Sequence, residues 1–350
     1  MLGLLRFAFA MFVVIEHLTE GTTLFFSHWG IFGVFGFYLI SGYLMTAVLH
    51  DVYSFRLAPF TLNRFLRLSP IYYLVGIATA CLILFEPRAS TFHAAWRGTP
   101  GLLDYIGNGL IFPLEFYDST FRIIPPTWSL AVEIINYFLL WLIVARSRRL
   151  VIAALAVALT YHAFSLAMGW NWETRYRPFY AALLPFAFGS CIFFFRSHLA
   201  AIPPAHAHRI FWYSSAIAVG NLILCAFDSG VAGRWFNLSF YVNLICLFFM
   251  VASASVPSMV GSFRTSGKIL GDLSYPIFLT HFTVAFVVSL LFLDAKRRGL
   301  DVFVASVLPI LAISFVLSRA GTKWLEPLRS RIRSRATWCK SDRFDARSSP

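Results

Sequence analysis

Arg6 and His17 are the side chains around which chemistry would be organised. They stand eleven residues apart in a largely apolar, aromatic stretch from about Leu2 to Phe26, which also carries Glu16. On an α-helix eleven residues advance about 16 Å and turn about 1100°, so the two fall on one face. Ionisable groups inside a bilayer are costly and usually face a bundle interior or a wet cavity. A guanidinium and an imidazole on one face therefore suggest a polar path along this helix. A plainer reading fits as well: Arg6 marks the inner end of the span, and His17 caps its outer end near the interface.

Other residues offer complementary chemistry. Arg64 and Arg67 are spaced i, i+3 and project to one side of a helix. Two fork-shaped guanidiniums suit a phosphate-bearing ligand, and they suit ordinary loop anchoring equally. No Walker-type loop and no G-x-G-x-x-G is present, so ATP and dinucleotide chemistry have no support. Pro125 and Pro126 precede Trp128-Ser129-Leu130, which puts Glu133 about two turns into the next span. A carboxylate there must be neutral, paired or in a wet cavity. Arg6 and His17 are candidate partners, and a purely structural bond between helices is the alternative.

His281 adds a second intramembrane histidine, of a kind that more often packs or hydrogen-bonds than catalyses. His162 lies in an apolar span without another polar signal, while His198, His206 and His208 read as solvated loop positions. Gly33, Gly36 and Gly42 permit close helix contact, and Ser41 can bond back to its own backbone. Cys81, Cys191, Cys225, Cys246 and Cys339 show no pairing or metal-ligand spacing, so neither a disulfide framework nor a metal site is expected.

These residues need helices to position them. Of 350 residues 59% are hydrophobic and only 13% charged, against about 25% charged in soluble domains. The mean hydropathy is +0.71. Runs of about 20 mostly apolar residues predict an all-α, polytopic integral membrane protein. Backbone amides in lipid must pair within the segment, and a β-barrel would alternate in short strands. About ten spans are expected, at roughly 2–26, 30–49, 68–86, 128–145, 150–168, 178–195, 210–227, 238–256, 269–293 and 301–319. The stretch 101–116, with Asp104, Asn108, Pro113 and Glu115, reads as an amphipathic or re-entrant piece.

Placing the N-terminus inside puts about 20 of the 29 Lys and Arg residues on that side, which predicts N-in and C-in. The loop with Lys296, Arg297 and Arg298 runs against this. The net charge of +13 then reports sidedness, and no nucleic-acid partner is expected. The first stretch has a single Arg before its apolar run and reads as a retained anchor rather than a signal peptide. The chain divides into a membrane domain, 1–325, and an Arg-rich tail, 326–350, expected to be flexible and to lie near anionic headgroups on the inner side.

Taken in order, these motifs resemble the acyltransferase-3 family of membrane acyltransferases. The resemblance rests on Arg6 and His17, on Gly33 to Tyr43 ending in Ser-Gly-Tyr, and on Arg64 and Arg67 with Pro70 and Tyr72. It continues through Trp128-Ser129-Leu130 with Glu133 and Tyr137, and through Leu270-Gly271 with Ser274-Tyr275 and His281. It covers residues 4 to 282. Many members carry an acid where this chain has Phe35, and no soluble hydrolase-like domain follows the membrane part.

The resemblance implies transfer of an acyl group, often acetyl, from cytoplasmic acyl-CoA. The acceptor would be a hydroxyl of an extracytoplasmic polysaccharide, glycolipid or related molecule, and the location a bacterial inner membrane. Acyl transfer from a thioester needs a base near neutral pH and positive charge near the developing oxyanion. On that reading His17 is the general base or a transient acyl carrier, and Glu133 orients it or shares its proton. Arg6 stabilises charge near the donor, and Arg64 with Arg67 holds the CoA phosphates. Acyl-CoA is a substrate here, and no bound cofactor or metal is called for. A transporter or flippase for a lipid-linked or small anionic substrate is the competing reading, since it too would line a wet path with Arg, His and Glu. Trp96, Trp170, Trp172 and Trp235 could stack on sugars or form an interfacial belt.

Overall fold

The computed structural model describes residues 1–19, 26, 28–227, 234–262 and 264–345, and their side chains except at 234–236, 260–262, 264 and 337–345. Among these residues there is no strand. The principal helices are α1 (Leu2–Thr19), α2 (Trp29–Val48), α3 (Leu57–Phe85), α4 (Leu102–Leu110), α5 (Thr127–Leu142) and α6 (Arg148–Ala167). They continue with α7 (Phe179–Phe194), α8 (Pro204–Phe227), α9 (Arg234–Ala254), α10 (Arg264–Phe292), α11 (Leu300–Trp324) and α12 (Glu326–Asp345).

Eight helices among the described residues are long and apolar enough to cross a membrane, and α5 and α7 are shorter apolar helices. Eight of the ten expected spans fall on the long helices, and those at 128–145 and 178–195 fall on α5 and α7. The protein is an all-helical, polytopic membrane protein. Its large apolar side chains point outward in a way that water would not tolerate: Phe85 is 85% exposed and Leu308 73%. Helices of 16 residues, such as α5 and α7, reach about 24 Å, short of a hydrocarbon core of about 30 Å. Most of α7 is buried among other helices, from Ala181 to Phe193, while Tyr180 near its start is exposed.

α2 is the central helix and packs against α1, α5, α7 and α9. Glycine sets two of the close approaches. A Cβ on Gly189 in α7 would lie 2.0 Å from the Leu39 carbonyl oxygen of α2, and one on Gly3 would lie 1.8 Å from that of Gly267 in α10. The second contact lets α1 and α10 run side by side and parallel, though 264 residues separate the side chains that meet further along.

The doubtful segment at 101–116 does not span. α4 has nine residues, with Leu103, Tyr105 and Leu110 exposed while Asp104 and Asn108 are buried. Asp104 accepts from Gly101 N, Ser119 Oγ and Thr120 Oγ1 at 2.9–3.1 Å. Its polar face is inside and its apolar face outside, as an amphipathic segment at a lipid boundary requires.

Glu115, in the turn after α4, accepts the Phe179 backbone N–H at 2.7 Å and so serves the first turn of α7. Burial pushes its carboxyl up to about 7. The folded protein therefore holds this proton at pH values where the unfolded chain, with an ordinary value of 4.5, releases it. The contribution is full below about 4.5 and is lost as pH rises through about 7. Glu115→Gln keeps the acceptor and removes the titration. Unfolding temperatures in detergent at pH 5 to 8 should decline less steeply for this variant than for the wild type; equal slopes would assign the decline to other groups.

Arg6 in α1 and Arg329 in α12 border one cavity, so the first turns of α1 and α12 lie at the same end of the bundle. Two of the three basic residues at 296–298 have partners in the fold. Lys296 pairs with Asp301, and Arg298, only 7% exposed, donates to the His17 carbonyl oxygen at 3.2 Å. Residues 326–345 form a helix where the sequence predicts a flexible tail. Glu326 pairs with Arg329 and Arg333, and the buried Asn63 of α3 donates to the Arg329 carbonyl at 3.0 Å. Residues 346–350, the last of that tail, and 20–25 of the first expected span lie outside the described residues.

Candidate active site

A cavity of about 340 Å³ lies between α1, α2, α3, α5, α10 and α12. Five arginines border it, Arg6, Arg64, Arg67, Arg329 and Arg333, against two carboxylates, Glu133 and Asp272. The sequence-predicted Arg6, Arg64, Arg67 and Glu133 thus come together, from three helices. The excess positive charge in a walled space favours a polyanion.

Each charged side chain is held differently. The Glu133 Oε1 accepts from Ser41 Oγ at 2.5 Å and from the Tyr137 hydroxyl. Ser41 therefore serves α5 rather than its own backbone. Tyr137 lies one turn after Glu133, where i, i+4 side chains meet. Arg64 Nη2 donates to Asn63 Oδ1 at 3.1 Å, and Arg329 Nε reaches the same oxygen at 3.4 Å. Asn63, fully buried, thereby sets two guanidiniums side by side. The Arg6 and Arg67 side chains make no hydrogen bond among the described residues, and both face the cavity. Arg67, Glu133 and Asp272 border the same cavity as Arg6.

Pro276 in α10 lacks the N–H that would bond the Asp272 carbonyl, which loosens the helix beside the cavity. The Tyr275 hydroxyl donates to the Leu68 carbonyl at 2.8 Å, two residues before Pro70, and ties α10 to α3.

His17 is not among the residues bordering this cavity. Its ring Nδ1 lies 3.0 Å from Nε2 of His281, and the rings stack at 5.2 Å. His281 is fully buried, with its Nδ1 2.8 Å from the Phe278 carbonyl oxygen. A carbonyl only accepts, so His281 Nδ1 carries hydrogen and donates. With both rings neutral, His281 Nε2 is then an acceptor, and the bond between the rings is donated by His17 Nδ1–H. His17 Nε2 is left with its lone pair, on the only one of the two rings that is partly exposed. This is the tautomer of a base held in place through its other nitrogen.

Glu133 makes no hydrogen bond to His17; the orienting contact expected from it is made by His281 instead. Phe278 borders the cavity, and its carbonyl holds His281 one turn further along α10, so the cavity and the histidine pair are adjacent. His93 joins the pair from the loop before α4, its ring 4.5 Å from that of Phe282. Burial, with Arg298 and Arg122 nearby, pushes His93 down to about 3, so it adds no charge near neutral pH.

The acyltransferase-3 family, described as an acyltransferase domain, matches residues 2–319. The chain belongs to this family. No curated protein and no solved structure matches it. The acyltransferase-3 assignment makes the protein a membrane acyltransferase in general terms and ends within α11, before α12. The departure at Phe35 is structural: its ring packs against Tyr176 and Phe240 at 5.6 and 5.0 Å, away from the cavity. Of the aromatic residues considered for sugar stacking, Trp96 is buried and donates to the Ile123 carbonyl at 3.0 Å, while Trp170 is exposed. The Trp235 side chain lies outside the described residues.

Sequence reasoning missed Arg329 and Arg333, Asn63, and Arg298 beside His17. The spacing of Glu326, Arg329 and Arg333 at helical intervals was the available signal for the first two.

Proposed function

We propose that this acyltransferase moves an acyl group, acetyl in the first instance, from acyl-CoA in the Arg-lined cavity to a hydroxyl of a carbohydrate or glycolipid acceptor. The acceptor approaches His17 from the opposite side of a bacterial inner membrane. One observation carries the reading. The residue at the inner end of the histidine pair, Phe278, also borders the Arg-lined cavity. A donor with its phosphates among the arginines directs its thioester toward the base.

In the reaction the acceptor O–H gives its proton to His17 Nε2 as the oxygen forms a bond to the thioester carbon. His281, bonded to the other nitrogen of His17, keeps the ring oriented and shares the positive charge that develops. The tetrahedral oxyanion collapses, the C–S bond breaks, and the departing CoA thiolate takes the proton back from His17. Arg298 supplies positive charge beside His17 while the oxyanion exists. Arg64 and Arg67 bind donor phosphates, and Arg6 offsets donor charge deeper in the cavity. Glu133, fixed by Ser41 and Tyr137, keeps its side of the cavity polar and wet. The excess of Lys and Arg at the N-terminal end supports placing that end in the cytoplasm.

The test is donor chemistry without a gradient. Purified protein in detergent should bind acetyl-CoA and, with a solubilised cell-envelope fraction, release free CoA thiol. Binding with the thioester left intact, repeated with longer acyl-CoAs, would favour a transporter and contradict this reading.

A further inference from the structure

α12 lies wholly beyond the residues that the family matches, yet two of its side chains border the same cavity as Arg64 and Arg67. Arg329 Nη1 and Arg333 Nη2 converge on the two oxygens of one carboxylate, that of Glu326, each at 2.5 Å. One guanidinium per oxygen, from residues on neighbouring turns, is the arrangement that also grips a phosphate, since both anions offer paired oxygens to planar donors. The pair is locked to the cavity wall through Asn63, whose Oδ1 is shared by Arg64 and Arg329 and whose amide nitrogen bonds the Arg329 carbonyl. Tyr53, fully buried at the turn after α2, packs at the same corner.

We propose that Arg329 and Arg333 bind the 3′-phosphate of the CoA donor and that the Glu326 carboxylate competes with that phosphate for them. This rests on the acyl-CoA reading above. The thioester must point toward Phe278 and the histidine pair, so the nucleotide end of the donor lies at the α12 end of the cavity. The 3′-phosphate is a monoester of nearly two charges, the strongest anion on the molecule, and here it meets two guanidiniums already set to a single bidentate anion. The diphosphate, nearer the pantetheine arm, falls to Arg64 and Arg67. Glu326 keeps the two cations apart from each other's repulsion and sets a threshold: a ligand without the extra phosphate does not displace it.

The experiment compares CoA with dephospho-CoA, which lacks only the 3′-phosphate, by equilibrium binding to the full chain in detergent. The wild type should prefer CoA by about tenfold or more, the scale of one or two charge-assisted bonds. Arg329→Gln with Arg333→Gln should bring the two affinities together while changing dephospho-CoA binding by no more than about threefold. Arg329→Lys with Arg333→Lys should keep part of the preference, because charge without the fork is a weaker phosphate ligand. Glu326→Gln should tighten CoA severalfold and leave dephospho-CoA nearly unchanged.

Equal losses for both ligands in the double Gln variant would show that α12 only shapes the cavity, and would overturn the proposal while leaving the donor reading standing. An unchanged CoA preference in that variant would overturn it as well. If the wild type bound neither ligand, the donor reading would fall and this proposal with it.

Discussion

His17→Ala should lower acyl transfer by about 10³-fold or more while leaving donor affinity within a few fold of the wild type, since general base catalysis contributes about 10²–10⁴. The reason is geometric. His281 is buried and committed to a backbone carbonyl, so its own Nε2 faces only His17. The nearby His93 has its Nδ1 lone pair taken by the Ala95 backbone N–H at 3.0 Å. The Arg-lined cavity proposed for the donor does not include His17, so a binding defect is not expected. The loss should therefore appear in kcat, with little change in KM for the donor. His17→Gln is the stricter variant, because its amide can still donate to His281 but cannot accept a proton at neutral pH. It should be as inactive as the alanine variant, and added imidazole should restore part of the activity of His17→Ala only. Wild-type turnover in either variant would remove His17 from the chemistry.

Arg64→Gln with Arg67→Gln should weaken acyl-CoA binding by about 10²-fold, the scale of losing two charge-assisted contacts of about 1.5–3 kcal/mol each in part. The two arginines differ in what surrounds them. Arg64 is held by Asn63 and contacts Met45 Sδ at 3.6 Å, so its replacement also loosens the link to Arg329. Arg67 has no hydrogen bond among the described residues, so its guanidinium is available to a ligand without breaking an existing bond. Arg67→Gln alone should accordingly cost affinity with no loss of thermal stability, whereas Arg64→Gln should cost both. The dependence of donor affinity on salt should become shallower in the double variant, as fewer charges are screened. Titrating labelled acetyl-CoA at two ionic strengths measures both effects. An unchanged affinity would return the pair to a role in sidedness.

The apolar helices were legible because hydropathy acts locally: eight of the expected spans fall on helices long enough to cross a membrane, and those at 128–145 and 178–195 fall on the shorter α5 and α7. Helical periodicity put Arg6 and His17 on one face of α1, yet only Arg6 borders the cavity. What His17 bonds to was not legible. His281 stands 264 residues away, and only the close approach of α1 and α10 at Gly3 and Gly267 brings the two rings together. Glu133 was the nearer guess by chemistry, yet Ser41 and Tyr137 take its oxygen. The α12 helix escaped because its composition is polar and Arg-rich. Its order comes from Glu326 pairing with two arginines and from Asn63 reaching across from α3, a contact no hydropathy pattern reports.

The most direct test follows the acyl group itself. Acetyl-CoA labelled in the acetyl carbon is supplied at the basic end of the protein reconstituted in vesicles, with envelope glycan or glycolipid enclosed at the other, and hydroxylamine-labile label on the enclosed acceptor is measured over time. Label should accumulate on the acceptor as an ester with the wild type, at a rate proportional to protein, and stay at background with His17→Ala. Label that crosses while still attached to CoA, or equal ester formation by the two proteins, would contradict the account.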